Sequence, residues 1–295
     1  MHPVLLTFHF GSTEVVIGSY STFYVLAWVV ALALGTVIAS RRGLPWRRTL
    51  PLYLAALVIG IVGARLFDVA TNWGAYAADP SLAYGLEFGG FSLYGGLILA
   101  IAAGAVLARS FRLPLWRLAD GAVPAMTAAI VLMRTGCFLQ GCCFGKVTSV
   151  PWGVTFPVGS PAWSYQLGTG QSGVLGFTGF VRPVHPTQIY ELIAAVLLGG
   201  VALWLMPRHR SVGSAPPAGS GVAAGGAGRH RAVDGLPFLV FILGFTLFRV
   251  AEYYLRPRSL MATAPGWFYP ALYAVIIVGI AAVLVWRVAP ARKGA

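Results

Sequence analysis

"LADGAVPAMTAAIVLMRTGCFLQGCCFG", residues 118–145, decides the fold. Residues 118–136 are almost all apolar or small. They are long enough to cross a bilayer core, which takes about 20 residues of helix. The run ends on Arg134 and passes into Gly136, Gly141 and Gly145 and all three cysteines of the chain, Cys137, Cys142 and Cys143. An ionisable group at the end of a membrane span is costly and marks a functional position by default.

Outward from this stretch, six further apolar runs fall at 20–40, 50–70, 91–109, 186–206, 236–255 and 266–287. The chain is 58% hydrophobic and only 10% charged, against about 25% charged in a soluble domain. None of the runs alternates apolar with polar residues, as strands of a membrane barrel do. The expectation is an all-α, polytopic membrane protein of about seven transmembrane helices, one transmembrane domain over 1–295. The net charge of +13 would suggest nucleic acid in a soluble protein. Here the basic residues gather in alternate loops, so no nucleic-acid partner is expected. "RRGLPWRRT" (41–49) holds four arginines, and residues 207–235 hold four more, whereas residues 137–185 carry only Lys146 and Arg182. By the positive-inside rule the N-terminus lies outside and the C-terminus inside, with Arg256 and Arg258 as exceptions on an outer loop. The N-terminus lacks the basic start of a cleaved signal peptide, so the first span is expected to be retained. Residues 207–235, rich in Gly, Ser, Ala and Pro, read as a flexible inner-side linker. Residues 137–185 carry Phe144, Trp152, Phe156, Trp163 and Tyr165, and read as an outer aromatic loop lying on the membrane surface and covering the site.

The ionisable residues of the spans share one depth. Arg65 and Asp68, Arg134, Glu191 after His185, and Arg249 with Glu252 all fall at outer ends of spans, joined by Tyr24 and Tyr94. Three arginines thus balance three acids, and the pairs 65/68 and 249/252 have the i,i+3 spacing of one helix face. A salt-bridge network joining helices is one reading. A site at headgroup depth is the reading the whole set favours, because guanidinium forks match phosphate oxygens. Gly95 and Gly96 beside Tyr94 suit either helix packing or close backbone approach to a ligand.

Six blocks in chain order carry a resemblance: "FYVLAW" (23–28), "GARLFD" (63–68), "GGFSLYGGLI" (89–98), "MRTGCFLQGCCFG" (133–145), "HPTQIYEL" (185–192) and "FRVAEYYLRP" (248–257). Together they resemble the prolipoprotein diacylglyceryl transferase family. The resemblance implies seven transmembrane helices with the N-terminus outside, in the bacterial cytoplasmic (inner) membrane, and an active site facing the outer side. It also implies transfer of a diacylglyceryl group from phosphatidylglycerol to the lipobox cysteine of a preprolipoprotein, with release of glycerol phosphate and no cofactor. Arg134 matches the arginine of the family's Arg-x-Gly-Asn-Phe signature, Gly145 its closing glycine and Arg249 the arginine of the sixth span. Tyr24 matches the tyrosine of the first span. His185, Gln188, Tyr190 and Glu191 match the His-Pro-Ser-Gln-Leu-Tyr-Glu block. Tyr94 stands where the family has histidine, Cys137 and Gln140 where it has asparagines, and Cys142 where it has glutamate. Glu252 follows its arginine by three residues instead of four.

The catalytic residues expected are therefore Arg134, Arg249 and Tyr94. Tyr24, Arg65, Gly95, Gly96, Cys137, Gln140, Gly145, His185, Gln188, Glu191 and Glu252 are expected to bind substrate. The arginines would hold the lipid phosphate and stabilise the leaving glycerol phosphate. Tyr94, a phenol with an ordinary pKa of about 10, is a weak base, so Glu191, Glu252 and His185 stand as alternatives for the acceptor thiol's proton. The three cysteines admit a disulfide, a packing role or a thiolate beside Arg134. Cys-x4-Cys-Cys is no standard zinc spacing, and no metal is expected. Two other functions stay open: a relative with an altered acceptor or no activity, and a transporter or binding protein for an anionic amphiphile. The transporter reading wants polar groups linking the outer charges to Asp120 near the inner face, and the sequence between them supplies none.

Overall fold

The computed structural model describes residues 4–10, 13–83, 92–170, 181–206, 234–257 and 265–292. The chain opens with a hairpin, β1 (Val4–Phe10) antiparallel to β2 (Thr13–Gly18). β2 leads directly into α1 (Ser19–Arg41). There follow α2 (Trp46–Thr71), the short α3 (Trp73–Ala78), α4 (Leu93–Ser110), α5 (Leu115–Gln140) and the short α6 (Pro161–Gly168). The last three helices are α7 (Thr187–Leu205), α8 (Leu236–Leu255) and α9 (Phe268–Arg292). The architecture is all-α and polytopic, as expected. The hairpin is an addition: a search for long apolar runs passes over two short β-branched stretches.

Six of these helices, α1, α2, α5, α7, α8 and α9, are long and apolar enough to cross a membrane. The apolar part of α4, Tyr94–Ser110, is shorter. At 1.5 Å per residue it reaches about 26 Å, just under a hydrocarbon core of about 30 Å, so the seventh span of the sequence reading rests on α4. Large apolar side chains face outward along the bundle, among them Val58 and Val62 on α2, Leu197 and Trp204 on α7, and Val275 and Val278 on α9. On a soluble protein such a surface would be a liability. In lipid it is the required exterior, because helices satisfy their own backbone groups.

The helix α5 is central, packing on α1, α7 and α8, while α2 pairs with α4 and α8 with α9. The α2–α4 seam is built from glycine. A Cβ on Gly95 would lie 2.2 Å from the Phe67 Cβ and 2.6 Å from the Gly63 carbonyl oxygen, and one on Gly96 would lie 3.0 Å from the Gly60 carbonyl oxygen. Small residues let membrane helices approach to backbone contact. At the end of the bundle where α5 begins, Asp120 is fully buried. Its carboxylate accepts from the backbone N–H of Gly235 (2.8 Å) and Phe238 (3.1 Å), capping α8 from another helix. Arg42 lies 3.9 Å away. The linker expected over 207–235 lies, up to residue 233, outside the described residues.

Candidate active site

At the opposite end, the last turns of α5 and α8 meet the first turn of α7. These are the turns that carry Arg134, Arg249 with Glu252, and Glu191. All four are nearly or fully buried. Glu191 accepts from Arg249 Nη1 at 2.8 Å and from Arg256 Nη2. Glu252 takes Arg249 Nη1 at 2.5 Å and Arg256 Nε at 2.8 Å. Arg134 Nη2 sits 2.7 Å from Glu191 Oε2 but off the line of a hydrogen bond, so that contact is charge on charge. Three guanidinium groups therefore share two carboxylates, a surplus of one positive charge. The Nε groups of Arg134 and Arg249 are buried with no acceptor among the described residues. Buried charges persist only when paired, and removing one partner of such a set costs about 3–5 kcal/mol.

Arg256 is the residue the sequence reading missed. Read as a loop charge that breaks the positive-inside pattern, it instead completes the cluster. The available signal was its i,i+4 spacing from Glu252, which the structure uses. Arg65 takes a different position from the one expected: it is not among the guanidinium groups on Glu191 and Glu252, and lies over the Tyr76 ring at 5.7 Å. Asp68 accepts from the Tyr76 hydroxyl at 2.6 Å and from Asn72 at 3.1 Å. The Arg249/Glu252 pair does form as its spacing implied.

Tyr94 is buried against Tyr273, ring centroids 5.1 Å apart, with Tyr253 in the same cluster. Its hydroxyl lies beside Arg249 but makes no hydrogen bond among the described residues. Tyr24 stacks on Tyr20 and meets Trp28 edge-on along α1, close enough to feel the charge on Arg134. Gly95 and Gly96 lie in the α2–α4 seam, packed against Phe67 and Gly60. Gly145 is likewise enclosed: its N–H bonds the His185 carbonyl at 2.8 Å, and a Cβ there would meet His185 at 2.6 Å. Lys146 bonds the Leu255 carbonyl at 2.7 Å. The segment after α5 is thereby tied to the start of α7 and the end of α8. The His185 ring pairs through Nδ1 with the Tyr190 hydroxyl at 3.2 Å, and Trp152 donates to the same hydroxyl at 2.7 Å. Partial burial lowers the His185 pKa. Gln140 lies in a cleft with Phe156 and Ser160. The segment 137–185 carries a small core of its own, Phe144, Phe156, Ala162 and Val184.

The cysteines follow from how α5 ends. Gly141, with φ +77°, is left-handed, and two backbone bonds close the end: Gly141 N–H to the Phe138 carbonyl at 3.2 Å and Cys142 N–H to the Cys137 carbonyl at 3.1 Å. This is the Schellman arrangement, which brings the side chain two past the helix onto the third from its end. Here those two residues are Cys142 and Cys137. Cys143 follows with φ 60°, unusual for a residue with a Cβ. Its carbonyl is held by the Thr187 hydroxyl at 2.6 Å, and that of Cys142 by Gln188 Nε2 at 2.5 Å. All three thiols are free, and Arg134 Nη1 stands 3.8 Å from the Cys137 sulfur.

The fold and the cluster define an integral membrane protein with a cationic site buried where helix ends converge. Residues 6–287 match the prolipoprotein diacylglyceryl transferase family. The chain is 30% identical over 253 residues to the phosphatidylglycerol–prolipoprotein diacylglyceryl transferase of Geobacter sulfurreducens, covering 84% of this chain and 82% of the relative. It is 26% identical to the enzyme of the same name from Sinorhizobium medicae over 92% of this chain and 89% of the relative. For that of Synechococcus elongatus the identity is 29%, over 85% and 78%. The chain belongs to the prolipoprotein diacylglyceryl transferase family and is a membrane transferase.

Proposed function

We propose that this protein transfers the diacylglyceryl group of phosphatidylglycerol to the cysteine thiol in the lipobox segment of a preprolipoprotein. The observation that carries the reading is the surplus positive charge of the buried cluster, three arginines on two glutamates. A phosphodiester headgroup brings one negative charge and would neutralise it. The Nε groups of Arg134 and Arg249 supply donors not used elsewhere among the described residues.

In this reading the acceptor sulfur attacks the glyceryl carbon that carries the phosphate ester. A C–S bond forms and the C–O bond breaks. Its electron pair leaves on the phosphate oxygen as glycerol phosphate, where Arg134 and Arg249 stabilise the developing charge. The thiol proton passes to a neighbouring base, for which Glu252 and the Tyr94 hydroxyl beside Arg249 are the groups at hand. Tyr24, Gln188 and Glu191 line or brace the same end of the bundle, and the described part of 137–185 is read as its cover. The alternation of basic loops supports a site on the outer side of the bacterial cytoplasmic membrane. Transport is less well supported: the charges at the two ends of α5 are separated by an apolar run, without the chain of polar groups a path needs.

The test is mass spectrometry of a lipobox peptide incubated with the purified protein in phosphatidylglycerol vesicles. A diacylglyceryl mass gain is expected, lost with Arg134→Ala and with an alanine in place of the peptide's cysteine. Full activity of Arg134→Ala would overturn the reading.

A further inference from the structure

The transfer reaction, as derived above, makes no use of the three thiols. Their sulfur atoms lie within 4.8 Å of one another. An ion bound equally by three thiolates at about 2.3 Å holds its sulfurs about 4 Å apart in a trigonal plane, so small side-chain rotations close the set on one cation. The frame is already fixed. The Schellman turn puts Cys142 on Cys137, and hydrogen bonds from Gln188 and Thr187 hold the carbonyls of Cys142 and Cys143. Cys143 sits in the left-handed region, a conformation that costs about 1–2 kcal/mol outside glycine and turns its thiol into the group. No histidine, carboxylate or fourth thiol joins them among the described residues. Structural zinc takes four ligands. A soft, thiolate-only set selects copper(I), which three sulfurs satisfy.

The Arg134 guanidinium lies 3.8 Å from the Cys137 sulfur, a fixed positive charge beside the group.

We propose that Cys137, Cys142 and Cys143 form a three-coordinate thiolate site for copper(I). Binding displaces the thiol protons into solvent and involves no change in oxidation state.

The experiment uses the full chain in detergent, reduced and kept anaerobic. Thiols are counted with a maleimide, copper(I) is titrated against bicinchoninate, and the loaded protein is measured by X-ray absorption at the copper edge. One copper per chain is expected, with a shell of three sulfurs at about 2.3 Å and all three thiols protected from the maleimide. Cys142→Ser and Cys143→Ser should each weaken binding by at least about 100-fold. The absorption spectrum comes from the unmodified protein, so a variant that fails to fold leaves the test intact. The proposal falls if bicinchoninate keeps the copper while three thiols react freely. It also falls if the shell holds fewer than three sulfurs, or if the cysteines resist reduction as a disulfide. None of these readouts depends on diacylglyceryl transfer.

Discussion

At the start of α5, Asp120 is buried and bonds backbone N–H groups of α8. About 21 Å further along the same helix, Arg134 is buried and meets side chains. Around Asp120 the pattern repeats: Arg42 donates to the Arg117 carbonyl, Arg117 to the Arg42 carbonyl and Arg287 to the Asp234 carbonyl. Around Arg134 the partners are Glu191 and a thiol, with Glu252 joined to the same cluster through Arg249. Charge aimed at backbone groups fixes helix ends, and a ligand could claim it only by undoing the fold. Charge aimed at other charged side chains can be shared with an incoming anion while the helices stay where they are. The difference separates a structural end of the bundle from a chemical one, although both ends carry buried ionisable groups.

The contrast can be broken by substitution. Arg134→Ala should lower transfer to the lipobox peptide by about 10³-fold, with the protein still eluting as a folded species. Asp120→Ala should do the reverse. Leaving two buried N–H groups of α8 unsatisfied should cost about 2 kcal/mol or more of stability, read as a lower unfolding midpoint in detergent, while transfer per folded molecule stays unchanged. If Asp120→Ala instead abolished transfer in well-folded protein, the division between the ends would be wrong. Arg256→Ala sharpens the chemical end. It removes a guanidinium shared by both glutamates, and a loss of about tenfold in transfer, or about 1.4 kcal/mol, is expected. Tyr94→Phe should have the smallest effect, within about threefold, because the ring packing against Tyr273 persists and the hydroxyl makes no hydrogen bond among the described residues. A loss as large as that of Arg134→Ala would make Tyr94 the base.

Much of this was legible in the sequence. The seven apolar runs fall within a few residues of the helices, because hydropathy and length are what a bilayer selects. The Arg249/Glu252 pair and the convergence of Arg134 with Glu191 were legible because costly charges must find one another in a low-dielectric interior. The hairpin was not drawn, although Gly11-Ser12 between β-branched stretches is a turn signal; a search for long spans has no place for it. Arg256 was misread because loop charges were counted for orientation and not tested for helical spacing. The grouping of the thiols is a tertiary fact. It needs the left-handed Gly141, the Cys143 conformation and the hydrogen bonds from α7, and only the glycine leaves a mark on the local sequence.

The Asp120 cap has a consequence for how this chain can vary. The first turn of α8 is held by α5, through Gly235 and Phe238, and Gly235 is seated against the Trp116 ring. The start of α8 is thus fastened from across the bundle, about 21 Å along the helix from Arg249. Arg249, Glu252 and Arg256 are kept in place by the packing of α8 on α7 and α9. In evolutionary terms, the fastened end can trade one acceptor for another, while the charged end cannot trade its arginines.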